Sequence, residues 1–196
     1  MAPTALIFDL DGCIWDSYRW YASVLSRLSG SPAVGFETVL KLGANVVDIA
    51  REVGVSRIAL FTECTRDFGG LKLYPGVRKT LDKLGNRHLP LGVVSSLPGA
   101  LAEGGLDALG LSERFKAVIH AGNCRVAKPN PRPILQCLSW MAITPSRAVY
   151  YVGDRDVDQR AAESAGISFA WAAYGYGGGE MPADVRVDKF EELLRL

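Results

Sequence analysis

Apolar residues occur along this chain in short unbroken runs, and the stretches between them carry apolar positions at helical spacing. Five runs have the length and composition of buried strands: Ala5–Leu10, Leu89–Val94, Ala117–Ile119, Ala148–Val152 and Ile167–Ala172. Between the later ones, Val77–Leu84, Leu101–Leu109, Pro133–Met141 and Val157–Ala165 repeat apolar residues every three or four positions, which predicts helices. Near-continuous apolar strands alternating with helices predict an α/β fold, a parallel sheet covered on both faces.

Residues 16 to about 72 break this rhythm. They contain no convincing strand, and three helical stretches are expected, Asp16–Leu28, Phe36–Val53 and Ser56–Phe68. Gly30-Ser-Pro32 and Gly54 separate them, and Leu71-Lys-Leu-Tyr-Pro-Gly76 reads as a return linker leading into the next helix. The division expected is therefore a core of residues 1–14 and 73–196 with a helical insert, residues 15–72. Inserted directly after the first strand, it is placed to cover that strand's end. The five-residue stretch Gly175-Tyr-Gly-Gly-Gly179 reads as a mobile loop, with a phosphate cradle as the lesser alternative.

Composition narrows the classes. With 196 residues, 48% hydrophobic and 22% charged, the chain can bury a core without disulfides or structural metal. The net charge is +1 and the basic residues are scattered, which argues against a nucleic-acid or membrane-surface partner. No run approaches a membrane span and no signal-peptide pattern is present, so a cytoplasmic location is expected. Cys13, Cys64, Cys124 and Cys137 show no metal-binding spacing and fit reduced thiols.

The candidate chemistry sits at the ends of the predicted strands. The first delivers Asp9 and Asp11 into Asp-Leu-Asp-Gly12. Two carboxylates so close repel each other and lose hydration, and a bound cation is the usual compensation; a polar turn is the bland alternative. A second strand ends in Ser95-Ser96, a hydroxyl with main-chain N–H groups at a possible helix start, which suits phosphate. Lys128 lies in Val126-Ala-Lys-Pro-Asn-Pro-Arg-Pro133, where prolines stiffen the chain around a compact charge. A fourth strand runs into Gly153-Asp-Arg-Asp-Val-Asp158, three acids in five residues, more than helix capping requires and of the oxygen type that Mg²⁺ takes.

In this order, the four pieces resemble the motifs of the haloacid dehalogenase (HAD) superfamily over the whole chain: Asp-x-Asp-Gly at Asp9–Gly12, the hydroxyl at Ser95, the Lys-Pro element at Lys128, and Gly-Asp-x-x-x-Asp at Gly153–Asp158. Tyr74-Pro-Gly-Val77 and Ala161-Ala-Glu-Ser-Ala-Gly166 are similar to segments of its phosphoglycolate-phosphatase-like branch. The resemblance implies a Rossmann-like core of five or so strands with a small helical cap, and a phosphatase acting on a small phosphorylated metabolite with Mg²⁺ as cofactor. It implies Asp9 as nucleophile, forming an aspartyl-phosphate, and Asp11 as the general acid and base. Lys128, Ser95 and Ser96 would hold the phosphoryl oxygens. Asp9, Asp11 and Asp154 would hold the metal, Asp11 through its carbonyl, with Asp158 supporting it. Haloacid dehalogenases proper lack the acid at the Asp11 position, so its presence favours phosphate chemistry. Arg19, Lys41 and Asn45, with Arg51, are expected substrate contacts from the cap, and the protein is expected as a monomer or homodimer. Two other readings use the same residues differently: a phosphomutase with the same nucleophile, and a non-catalytic binding protein on the same fold. Cap histidines are absent and all motif residues are present, which weighs against each in turn.

Overall fold

The computed structural model describes residues 2–30, 35, 37, 39 and 46–196. The chain divides into two compact units, residues 1–15 with 73–196, and residues 16–72. The first is built on a parallel sheet that has six strands among the described residues, in the order β5-β4-β1-β6-β7-β8. These strands are β1 (Ala5–Phe8), β4 (Leu91–Val94), β5 (Ala117–Ile119), β6 (Val149–Gly153), β7 (Ser168–Ala172) and β8 (Val185–Val187). The chain leaves and re-enters this unit through β2 (Trp15–Asp16) and β3 (Lys72–Leu73), which pair with each other.

The strand β1 lies at the centre because all four of its residues are apolar and all are fully buried. Burying Leu6, Ile7 and Phe8 contributes roughly 1.5–3 kcal/mol per side chain. One face of the sheet packs Ile7, Val94, Ile119 and Tyr151 against Ile134 and Leu138 of α6 (Arg132–Trp140) and Ala161 and Ala162 of α7 (Asp156–Ser164). On the other face Phe8 stacks on Phe190 at 5.7 Å and meets Phe115 edge-on at 6.2 Å. Helices α4 (Val77–Asn86) and α5 (Gly99–Ala108) complete this unit. Chain order runs from β1 outward to β4 and β5 and then returns to the opposite side of β1 with β6. The reversal leaves a crevice at the carboxyl ends of β1, β4 and β6, where open α/β sheets bind ligands.

Among its described residues the second unit has no strand beyond the crossing residues. It contains α1 (Ser17–Ser29), α2 (Val46–Glu52) and α3 (Arg57–Arg66). Trp20 of α1 stacks on Tyr21 at 5.2 Å and lies 5.5 Å from Phe68. Of the expected helix 36–53, the part from Val46 to Glu52 is observed, and most of the remainder lies outside the described residues.

The expected core strands and helices, and the first and last expected helices of the insert, match the observed ones to within a few residues. The two-residue strands β2 and β3 are not among those expected, and two core strands differ. The first strand stops at Phe8, two residues early, because Asp9 and Leu10 turn out of the ladder, although the Asp9 N–H still donates to the Val152 carbonyl at 2.9 Å. The sixth strand, β8, escaped detection: it is three residues long and has exposed Arg186 at its middle, so it carries no apolar run.

Candidate active site

The carboxylates of Asp9, Asp154 and Asp158 converge, each offering an oxygen within 4.8 Å of the others, and all three residues are buried. The register brings them together. β1 pairs Phe8 with both Val93 of β4 and Val152 of β6, so Asp9, Ser95 and Asp154 emerge at one edge of the sheet. Gly12 then turns the chain with φ +78°, a conformation glycine adopts at low cost.

Lys128 enters this acidic cluster from the loop before α6. Its Nζ lies 3.0 Å from Asp9 Oδ1 and 2.7 Å from Asp158 Oδ1, and it donates to the Tyr151 hydroxyl at 2.9 Å. The Tyr151 hydroxyl donates in turn to the Val94 carbonyl at 2.8 Å. Asp158 is held from its own helix as well, since Oδ2 accepts the Arg155 N–H at 3.1 Å and closes the amino end of α7. Both Asp158 oxygens are thus engaged within the protein, one by a cation and one by a helix start.

One cation among three buried acids leaves an excess of negative charge, and the proton affinities reflect it. Burial pushes the Asp9 carboxyl up, Asp158 and Asp154 push it further, and Lys128 opposes them. Burial and Asp158 push Asp154 up to about 7 against the Tyr176 N–H, which favours the ionised form. Burial alone would depress Lys128, but Asp158 and Asp9 outweigh it and hold the ammonium above its ordinary value. These groups perturb one another as active-site residues do.

The two oxygens of Asp154 differ in what they meet. Oδ2 accepts the Tyr176 N–H at 2.8 Å, whereas Oδ1 is buried with no hydrogen-bond partner among the described residues. An unsatisfied buried carboxylate oxygen is costly. An all-oxygen donor set with surplus negative charge fits a hard divalent cation such as Mg²⁺, and Asp9, Asp154 and Asp158 are the residues that could hold one.

The remaining expected residues divide. Ser95 is buried at the end of β4, its Oγ accepting the Leu97 N–H at 3.2 Å, while Ser96 is exposed. Both line a cavity of about 120 Å³ with Lys128, His120 and Arg125. The Asp11 carboxylate stands outside the three-acid cluster and accepts the Trp15 indole N–H at 2.6 Å. Arg19 belongs to the helical unit and pairs with Asp16 at 3.0 Å; Arg51 pairs with Asp48 at 3.2 Å. Lys41 and Asn45 lie outside the described residues. Cys13 is a packed thiol, its Sγ 3.4 Å from the Val152 carbonyl, and burial pushes its pKa up, away from thiolate chemistry.

Sequence reasoning missed Tyr151, Tyr176 and Arg125. Tyr151 reads as one more apolar residue of a buried strand, and Tyr176 acts through its main chain, which no residue type signals.

Residues 6–172 match the family model for haloacid dehalogenase-like hydrolases. The chain belongs to that family. It is similar to the phosphoglycolate phosphatase of Photorhabdus laumondii, 30% identical over 97% of this chain and 90% of that protein. The plasmid-borne phosphoglycolate phosphatase of Cupriavidus necator is likewise 30% identical over 98% and 92%. A HAD-superfamily hydrolase of subfamily IA from Geobacter sulfurreducens superimposes with a TM-score of 0.74 at 27% identity over 99% of each chain. A Lactobacillus plantarum structure reaches 0.84 at 23% identity over 100% and 99%, which speaks for the fold alone. The four strand-end motifs are therefore those of a HAD hydrolase of the phosphoglycolate-phosphatase-like branch, an enzyme acting on phosphoric monoesters. No helix among the described residues is long and apolar enough to cross a membrane.

Proposed function

We propose that this hydrolase dephosphorylates a small phosphomonoester through an aspartyl-phosphate on Asp9, with Mg²⁺ as cofactor. The observation that carries the reading is the pairing of Asp9 with Lys128 beside the unpartnered Asp154 Oδ1. An Asp9 oxygen attacks phosphorus, the P–O bond to the leaving group breaks, and Asp11 gives its proton to the departing oxygen. Water then attacks the aspartyl-phosphate, Asp11 takes the proton, and free phosphate leaves with Asp9 restored. Lys128 holds a phosphoryl oxygen, and Ser95 with neighbouring main-chain N–H groups holds another, where charge spreads in the transition state. Asp9, Asp154 and the Asp11 carbonyl would hold Mg²⁺, which would supply neutralisation of the negative charge that nucleophile and phosphoryl group share.

Phosphoglycolate is the first candidate substrate, because the relatives that match nearly the whole chain carry that activity in their names. Selection of the organic part of the substrate is assigned to the inserted helical unit, residues 16–72, which follows the first motif directly. Four buried cysteines, none in a disulfide, suit a reducing compartment and support a cytoplasmic location. The test is phosphate release from phosphoglycolate, sugar phosphates, nucleoside monophosphates and p-nitrophenyl phosphate, with Mg²⁺ and with EDTA. Metal-dependent release is expected, and Asp9→Asn should lower it by about 10³-fold or more. Release that survives EDTA, or an Asp9→Asn protein as active as the unmutated one, would overturn the mechanism.

A further inference from the structure

The first half of the glycine-rich loop after β7 is held by main-chain hydrogen bonds. They tie it to the ends of two strands: Gly175 N–H donates to the Ala172 carbonyl at the end of β7 at 3.0 Å, and Tyr176 N–H donates to Asp154 Oδ2, just after β6, at 2.8 Å. The Tyr176 N–H is committed to a carboxylate of the protein.

The fit around Asp154 leaves no room for side chains. A Cβ on Gly175 would strike Asp154 Cβ and the Gly12 carbonyl and come within 2.9 Å of Asp154 Oδ2. One on Gly177 would collide with the Asp154 carbonyl oxygen, and one on Gly12 would sit 2.7 Å from Asp154 Cγ and 2.8 Å from Tyr176 Cδ2. Gly178, one residue further on, has nothing within 4 Å of the same position. The crowding is thus confined to the residues that face Asp154. Three segments distant in sequence interlock there: the turn after β1, the end of β6 and the loop after β7.

The consequence is an asymmetric carboxylate. One oxygen is tied by a main-chain N–H, and the other is buried without a partner among the described residues. We infer that Gly175–Gly177 is a positioning clamp, whose backbone fixes Asp154 Oδ2 so that Oδ1 is presented to the divalent cation. This rests on the reading of the acidic cluster as a cation site. Residues that orient a ligand from behind in this way typically change metal affinity by about 10–100-fold when altered.

The test uses the purified full chain and isothermal titration with MgCl₂, beside thermal unfolding in EDTA. Gly175→Ala and Gly177→Ala are expected to weaken Mg²⁺ binding by about tenfold or more, whereas Gly178→Ala should match the unmutated protein. Metal-free melting within about 3 °C of the unmutated protein separates positioning from general damage. Should the alanine variants not fold, ligation of a synthetic carboxyl-terminal segment can replace the Gly175–Tyr176 amide with an ester. That removes the N–H alone, and the same loss is expected. Unchanged Mg²⁺ affinity in folded alanine variants or in the ester protein would overturn the clamp and leave the cation site standing. An unmutated protein that binds no Mg²⁺ would overturn both.

Discussion

At the scale of single residues, the site depends on who satisfies whom. Lys128 meets four oxygens, and the Tyr151 hydroxyl is the nearer of the two neutral ones, itself donating to the Val94 carbonyl. Tyr151→Phe deletes that bridge and changes no charge. The Val94 carbonyl would then keep only the long 3.4 Å contact from Lys128, which should cost about 1–3 kcal/mol in urea unfolding. With Lys128 less well held, kcat/KM should fall by about tenfold. A variant with the stability loss but full kcat/KM would show that Tyr151 serves the core alone. From the sequence, Asp9, Ser95, Lys128 and Asp154 could each be named, because each stands next to a strand end or proline turn that marks it. Tyr151 could not, since a hydroxyl buried behind a lysine looks in sequence like any aromatic core residue.

At the scale of elements, α7 joins folding to chemistry through one side chain. Asp158 accepts the Arg155 N–H at the start of that helix and pairs with Lys128 at 2.7 Å. Asp158→Ala loses the helix-end acceptor and leaves Lys128 buried with one carboxylate fewer. The expected destabilisation is about 3–5 kcal/mol, the scale of breaking a buried ion pair. Asp158→Asn keeps an oxygen for the Arg155 N–H and should recover about 1 kcal/mol of it. Equal stability of the two variants in denaturant titrations would rule out the capping contribution. The sequence pattern expects Asp158 to support a metal. In the structure it belongs to the three-acid cluster, pairs with Lys128 and starts α7.

At the scale of the whole molecule, the acidic cluster makes stability depend on pH in an unusual direction. An Asp154 carboxyl pushed from 3.8 to about 7 keeps its proton in the folded, metal-free protein where the unfolded chain has released it. Asp9, pushed up to about 8, acts in the same sense, so the folded state binds more protons and stability falls as pH rises from about 4 to 8. Thermal unfolding in EDTA should show a decline on the order of a few kcal/mol across the window. Added Mg²⁺, which competes with that proton, should raise the melting temperature more at pH 8 than at pH 5.5. A metal-free protein that gains stability between pH 5 and 8 would contradict the cluster's electrostatics. The sequence by itself determined the α/β class, five of the six main strands and the strand-end residues, because burial periodicity and turn chemistry are local and each is written in a few adjacent positions. Only the tertiary structure decided that Lys128 bridges Asp9 and Asp158, that Tyr151 supports it, and that a glycine loop grips Asp154. Those contacts join residues far apart in the chain, and they exist because β1 is flanked by β4 and β6 in the sheet, an order that no local pattern encodes.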